Sequence, residues 1–407
     1  MLLDIVKYCT IFLAGLFLVF RGIIPGWEEL PADFNNYYVA SKLVVKGEAV
    51  HQFYDNDWFN SHAKKMGIEA GAKFAPFPPP TAYLLIPLTV FNPLTAKRIW
   101  LVINCLLLFL IVLKTKRHFK TNAINALLFV SLFTLPIANC ISFGQIYLLL
   151  AFILVHTVLS NNYDSKFIWP AIFFGITTAI KYVPILFATY FYKNVSKTKL
   201  WALTFCVILI VFALIFIIDP LAYNQFIRTL SSHLNGNLSG QGKYAIGFQS
   251  LDSLLNNLFV MDDALNPFPI INIPILKPIL KFSIALGIGV ILFFLLKKSS
   301  YKLNPILISI GIVGSFIIFP ATASYHFLLL FLPILFISKW LLSFSVQYIT
   351  FLIAIVVTFT VQYHHIPALN SLPTFNLLIH YPRFWCLLFV FLFLIFNYLK
   401  LNTSKHG

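Results

Sequence analysis

Charge is what this sequence has least of. Only 10% of its 407 residues are charged, against roughly a quarter in an ordinary soluble domain. The hydrophobic share is 59% and the mean hydropathy is +0.86. No water-soluble fold hides that much apolar surface, so lipid is the solvent for most of the chain. Carboxylates are scarcer still, 13 against 29 basic residues, for a net charge of +16. In a soluble protein that excess would suggest nucleic acid. Here the lysines and arginines fall in short runs between apolar segments, the pattern of membrane topology, and nucleic acid is excluded as a partner. The five cysteines, Cys9, Cys105, Cys140, Cys206 and Cys386, have no metal-site or disulfide-framework spacing. The Gly-rich stretch Leu234 to Lys243 lacks the Gly-Lys-Ser/Thr signature of a phosphate-binding loop. No small-x-small cleavage site follows the first apolar run, Tyr8 to Phe20, which reads as a span and not a signal peptide. No internal repeat is visible, which counts against a transporter built from matching halves.

What is present is a series of apolar segments near the length a membrane helix needs, about 20 residues. Twelve candidates fall at roughly 5–22, 97–113, 122–138, 145–159, 167–180, 182–193, 200–218, 274–296, 304–320, 324–338, 343–361 and 383–400. The expected fold is all-α: a polytopic transmembrane protein of about 12 spans, one integral membrane domain over residues 1–407. The basic runs Lys114–Lys120, Lys193–Lys199 and Lys297–Lys302, with Lys339, Lys400 and Lys405, are placed in the cytoplasm, and both termini with them. This path requires two things. Residues 167–193 form a hairpin of two short helices meeting at Lys181–Pro184, and residues 81–91 lie at the outer interface without crossing. A layout in which 81–91 crosses and 167–193 is one span is the alternative. In the first of these paths, and not in the alternative, Lys97 and Arg98 stand at the outer end of a span, against the rule. Seven of the 13 carboxylates fall between residues 21 and 76 and four between 219 and 272. Those are the two long outer loops, 22–96 with interfacial helices and 219–273, so the chemistry is expected outside.

Several residues there are suited to chemistry. Asp33, about ten residues after the first span, has aromatic and amide neighbours (Phe34, Asn35, Asn36, Tyr37, Tyr38). A carboxylate in a partly apolar setting serves as a general base for a hydroxyl; an Asp before Tyr-Tyr-Val-Ala equally serves as a helix N-cap. Gly144-Gln145 offers an amide to a polar ligand or simply makes a tight turn. Lys181 either holds an anionic phosphate as a point charge or snorkels to the interface. Tyr325 and His326 close a span, where a histidine bonds a phosphate or is merely interfacial. His364, His365, Tyr381 and Arg383 are further polar candidates in the last outer loop. Asp55-Asn-Asp57 reads as a divalent-ion pair or a solvated loop; neither a metal nor a cofactor is expected. The Gly-rich 234–243 stretch reads as a substrate-gating loop or a plain linker.

In order and spacing these segments resemble glycosyltransferase family 87 (the DUF2029 proteins) of the GT-C superfamily. The resemblance rests on Asp33, Tyr37, Ala40, Gly47 and Tyr54, then Pro78–Pro80, Pro87 and Trp100, then Gly144-Gln145, Lys181 with Pro184, and His326 with Pro333. It runs over roughly residues 30–340. Where the family's mannosyltransferases have Tyr-Pro-Pro, this chain has Phe77-Pro78-Pro79. The resemblance implies an inverting transfer of a sugar, mannose in the best-known case, from a polyprenyl-phosphate donor to a glycan or glycolipid acceptor. It implies Asp33 as the base, Lys181 and His326 at the donor phosphate, and Tyr37, Gln145 and Tyr325 as substrate-positioning residues. The protein is expected to be multi-pass in a bacterial inner membrane, with the active site on the non-cytoplasmic face. The competing reading is a transporter or flippase of a lipid-linked sugar, which needs the same basic, aromatic cavity but no base. A non-catalytic scaffold is the third, and predicts no deep polar site.

Overall fold

The structure, a computed structural model of the 407-residue chain, describes residues 2–159, 168–181, 195–234, 242–298, 305–338 and 377–403, with a few positions between 350 and 359. Among the described residues the secondary structure is helical, with no strand and one isolated bridge, Asp262 to Asn266. The chain forms two compact units, Met1–Ser231 and Ser232–Gly407.

The first unit opens with a helical run: α1 (Leu2–Leu18), a π-turn (Val19–Ile23) and α2 (Ile24–Glu28). It ends where Glu29 turns extended, two residues before Pro31. Then come α3 (Ala32–Val45) and α4 (Asn56–Lys65), and later α5 (Pro93–Phe119), α6 (Ala123–Ser131), α7 (Thr134–Phe143) and α8 (Tyr147–Leu159). α9 (Ile168–Ile180), α10 (Val195–Ile218) and α11 (Pro220–Leu234) complete it. Two expected elements come out differently. The single span at 122–138 is a pair, α6 and α7, bent by 73°. Pro136 explains the break, since it has no N–H to donate and its ring crowds the carbonyl of Leu132. The start of the outer loop at 219 is helix α11, which turns from α10 by 112°. Pro220 opens it, a first helical position where the missing N–H costs nothing.

The segment 22–96 is more than a loop between spans. Phe53, Phe59 and Phe74 are fully buried and meet ring to ring, at centroid distances of 5.6 to 6.0 Å. Such a cluster gives the segment a small hydrophobic core of its own. Asp55 caps α4, its carboxylate accepting from the backbone N–H of Asp57 and Trp58. Residues 81–91 form two short 3₁₀ turns, Pro79–Tyr83 and Ile86–Leu88, too short to cross a bilayer. Side chains of α3 supply the backbone partners these turns lack. Ser41 Oγ donates to the Ala82 carbonyl and accepts from Leu85 N–H, Lys42 Nζ donates to Thr89, and Tyr38 Oη to Phe91.

The second unit contains α12 (Leu251–Phe259), α13 (Leu276–Lys298), α14 (Pro305–Ile318), a 3₁₀ turn (Ser324–Leu330) running into α15 (Phe331–Ser338), and α16 (Pro382–Thr403). By length and composition four helices among the described residues are able to cross a membrane, or six if each bent pair is one span. Shorter apolar helices such as Tyr147–His156, Ala171–Ile180 and Ser309–Ile318 match expected spans in position but fall below that length. The second arm of the 167–193 hairpin and most of 343–361 lie outside the described residues.

Candidate active site

The site is built in the first unit, around one face of α3. Asp33 and Tyr37 are one turn apart, so their side chains share a face. The N-cap of α3 is Pro31, which excludes the capping role for Asp33; the carboxylate lies within the first turn, where the helix dipole favours it. Asp33 is half-buried, and among the described residues no hydrogen bond or ion pair occupies its oxygens. Tyr37 is fully buried, and its hydroxyl donates to Gln145 Oε1 at 2.6 Å across 108 residues of sequence.

Gln145 is delivered by a turn that only glycine fits. Gly144 ends α7 with φ +67°, and a Cβ there would stand 2.7 Å from Lys97 Cε and 2.8 Å from Phe34 Cβ. The same turn explains Lys97, the cation on the wrong side by the topology rule. Lys97 is fully buried, and its ammonium donates to the carbonyls of Gly26 (2.8 Å), Ser142 (2.9 Å) and Ile141 (3.3 Å). Ile141, whose carbonyl also accepts the Gly144 N–H, and Ser142 belong to the last turn of α7, where the helix dipole favours a cation. Trp100 Nε1 donates to the Gly144 carbonyl at 3.1 Å. Arg98 packs its guanidinium 5.0 Å from the ring centre of Trp27 and donates to the Trp27 carbonyl. Both cations are structural ties, so neither reports on sidedness.

Lys181 closes the site. It follows the last residue of α9, and Thr81 Oγ1 binds the Ile180 carbonyl at 2.7 Å, which attaches this helix end to the 3₁₀ segment. The lysine is 8% exposed. Its ammonium lies 3.9 Å from the ring centre of Phe77, 5.8 Å from that of Tyr147 and 5.9 Å from that of Tyr37. Tyr37 and Phe77 are themselves stacked, at 5.1 Å and 14°. No carboxylate lies within ion-pair distance of Lys181 among the described residues, and the faces of three aromatic rings are its surroundings. Burial holds the Lys181 ammonium below the usual lysine range, at about 7, and the Asp33 carboxylate pulls it partly back.

Lys73 is a site residue that sequence reasoning missed. Its backbone N–H donates to Asn36 Oδ1 at 2.7 Å, which brings the lysine beside α3. Burial holds its ammonium below the usual lysine range, and the Asp33 carboxylate pulls it partly back. The only signal in the sequence is a lysine just ahead of Phe74-Ala-Pro-Phe-Pro-Pro-Pro, which says nothing of its distance from Asp33. A second missed feature is the pairing of His51 with Asp219, whose carboxylate takes the His51 backbone N–H at 2.7 Å and Nδ1 at 3.0 Å. This secures the 3₁₀ turn Val50–Tyr54 to the α10–α11 corner. Burial, with Tyr223 and Asp219 nearby, raises the Tyr54 hydroxyl above the usual tyrosine range, and Tyr54 Oη donates to the Phe77 carbonyl.

In the second unit, His326 lies in the 3₁₀ turn with Nδ1 accepting from the Ala323 N–H at 2.8 Å, and its ring stands edge-on to Tyr325 at 4.9 Å. Arg383 and Tyr381 belong to a buried polar network. Gln249 donates to the His380 carbonyl and accepts from Arg383 N–H, Tyr381 Oη pairs with Ser253 Oγ, and Arg383 lies 5.3 Å from the Phe327 ring centre. Gln249 is therefore a buried hub of this network. His364, His365 and most of the Gly-rich stretch lie outside the described residues.

An aromatic-walled cluster of one carboxylate and two lysines, set among long apolar helices, fits a helical membrane protein. The family model of glycosyltransferase family 87 matches residues 74–320, more than half of the chain. The protein belongs to that family and is a glycosyltransferase, using a sugar donor and an acceptor. The matched segment contains Phe77, Gln145 and Lys181, whereas Asp33, Tyr37, Tyr325 and His326 lie outside it. No curated protein matches the chain.

Proposed function

We propose that this glycosyltransferase moves a sugar, mannose by family likeness, from a polyprenyl-phosphate donor to a hydroxyl of a glycan or glycolipid. The protein has about 12 spans in this reading and is of the GT-C type, and the reaction faces away from the cytoplasm. Asp33 takes the proton of the acceptor hydroxyl, whose oxygen forms the new bond to the anomeric carbon from the face opposite the phosphate. The carbon–oxygen bond to the phosphate breaks, the polyprenyl phosphate leaves with the electron pair, and configuration inverts. Lys181 balances the charge that develops on that phosphate, an interaction that strengthens as the bond breaks. Tyr37, held by Gln145, supplies the wall between base and cation.

The observation that carries this reading is the arrangement around Tyr37: an unengaged Asp33 carboxylate on its own helix face, and a buried Lys181 ammonium against its ring. A buried cation without an internal counter-ion is costly unless a ligand supplies the charge. His326, in the second unit, keeps the phosphate-binding role that the family likeness gives it, and Tyr325 its positioning role. The test is transfer from radiolabelled polyprenyl-phosphate mannose by purified protein in nanodiscs, wild type beside Asp33→Asn. Loss of general-base catalysis is expected to cost about 10²–10⁴-fold in turnover, with donor binding retained. Equal transfer by both forms removes Asp33 from the chemistry. Movement of labelled lipid across the bilayer without transfer replaces the enzyme reading by the transporter.

A further inference from the structure

The stretch between α12 and α13 reads from sequence as the end of an aqueous outer loop. In the folded second unit it displays apolar side chains outward. Phe268, between Pro267 and Pro269, is 90% exposed, and Met261, Leu265, Ile271, Ile273 and Ile275 are exposed with it. This display is not a loose chain. Asn266 Nδ2 donates to the Val260 carbonyl at 2.8 Å, and Asp262 and Asn266 exchange backbone hydrogen bonds. The N–H groups of Ile271 and Ile273 donate to the carbonyls of Leu258 and Phe259 at the end of α12. Lys243 pairs with Asp262 at 3.2 Å. A tied loop that holds a phenylalanine clear of the protein needs an apolar environment to hold it in.

We propose that residues 261–275 are an interfacial anchor, seated in the headgroup–hydrocarbon boundary of the bilayer at the N-terminal end of α13. Two observations choose lipid as the occupant. The first is continuity: α13 begins at Leu276 and carries an exposed apolar stripe of Ile279, Phe282, Leu286, Val290 and Phe293, spaced three and four apart. The loop extends that lipid-facing surface, with the exposed Asp263 and Asn272 as polar positions within it. The second is the position of charge. Lys277 and Lys281 both pair with the buried Asp252 carboxylate, at 3.7 and 2.5 Å, and Lys297 stands at the far end of the helix. At 1.5 Å per residue, Lys277 and Lys297 are about 30 Å apart, the thickness of a bilayer's hydrocarbon core. The turn bearing Lys277 therefore marks the polar boundary, and the apolar loop beside it lies at the depth where aromatic side chains collect in membrane proteins.

The test uses Phe268→Trp in the full-length protein in nanodiscs, with lipids brominated either near the glycerol backbone or near the chain end. Emission in excess of the seven native tryptophans is expected to be quenched by the shallow bromines more than by the deep ones, and to resist iodide. Leu265→Trp gives the same readout if the first variant folds poorly. Extra emission that is quenched by iodide and untouched by brominated lipid overturns the anchor. So does quenching that is strongest with the deep bromines, since the loop would then cross the hydrocarbon core.

Discussion

Replacing Lys97 by methionine keeps most of the length and bulk of a side chain packed beside Gly144 and Gly26, and removes the ammonium. The carbonyls of Gly26 and Ser142 then lose a donor bound at 2.8 and 2.9 Å, while Ile141, bound at a long 3.3 Å, keeps the Gly144 N–H. A hydrogen bond to a charged group is worth roughly 1.5–3 kcal/mol net. Against this loss stands the relief of burying an ammonium, a substantial offset for a fully buried lysine. Counting two strong bonds and that offset, the variant is expected to be about 2–4 kcal/mol less stable. For a unit of this size that is a fall of roughly 5–15 °C in midpoint. Thermal challenge of the detergent-solubilised protein, read by size-exclusion chromatography, measures it. The effect should reach function too, because the carbonyls that Lys97 holds belong to the turn that presents Gln145. Lys97→Arg should not restore stability, since a planar fork cannot replace a compact ammonium beside the Gly144 backbone. A Lys97→Met protein as stable as wild type would refute the reasoning, and would return Lys97 to the role of a topology signal.

Gly144→Ala forces a left-handed backbone on a residue with a Cβ and drives that carbon into Lys97 and Phe34, for a loss of roughly 2–5 kcal/mol; the same thermal assay reads it. Tyr37→Phe leaves Gln145 Oε1 without its 2.6 Å donor at a cost of about 1–3 kcal/mol, and transfer assays should show weakened substrate affinity with the protein still folded. Lys73 carries an ammonium lowered by burial and partly restored by Asp33. Its acylation, followed by mass spectrometry across pH, should half-saturate below the usual lysine range. In Asp33→Asn the midpoint should fall further, because the charge favouring the protonated form is gone; an unchanged midpoint would separate Lys73 from Asp33.

The lipid-solvated, helical character of the chain was legible in composition alone, since a polypeptide with so few charges has no other solvent available. Asp33 and Lys181 were both singled out, each with a bland alternative. Local sequence could not separate the alternatives, because an N-cap and a base look alike until the helix start is known. The helix starts before Asp33, at the capping Pro31, which removes the N-cap reading. Pro136 and Pro220 were visible, yet the bends at 73° and 112° depend on what each helix packs against. Lys73 was invisible because its proximity to Asp33 comes from one hydrogen bond to Asn36, 37 residues away.

What the sequence determined by itself is a one-dimensional property: which segments prefer lipid, where helices are broken, and which loops carry carboxylates. Only the tertiary structure decided which charges are used up inside the protein. Lys97 and Arg98 count as positive in any sequence rule, but a buried ammonium bound to three carbonyls and a guanidinium on an indole face are satisfied by the fold. Lys181 is buried too, against aromatic faces and with no carboxylate in ion-pair distance among the described residues, and so remains disposed to a ligand's charge. The difference arises because electrostatic cost depends on the partners within a few ångströms, and those partners are brought together from segments up to 100 residues and more apart.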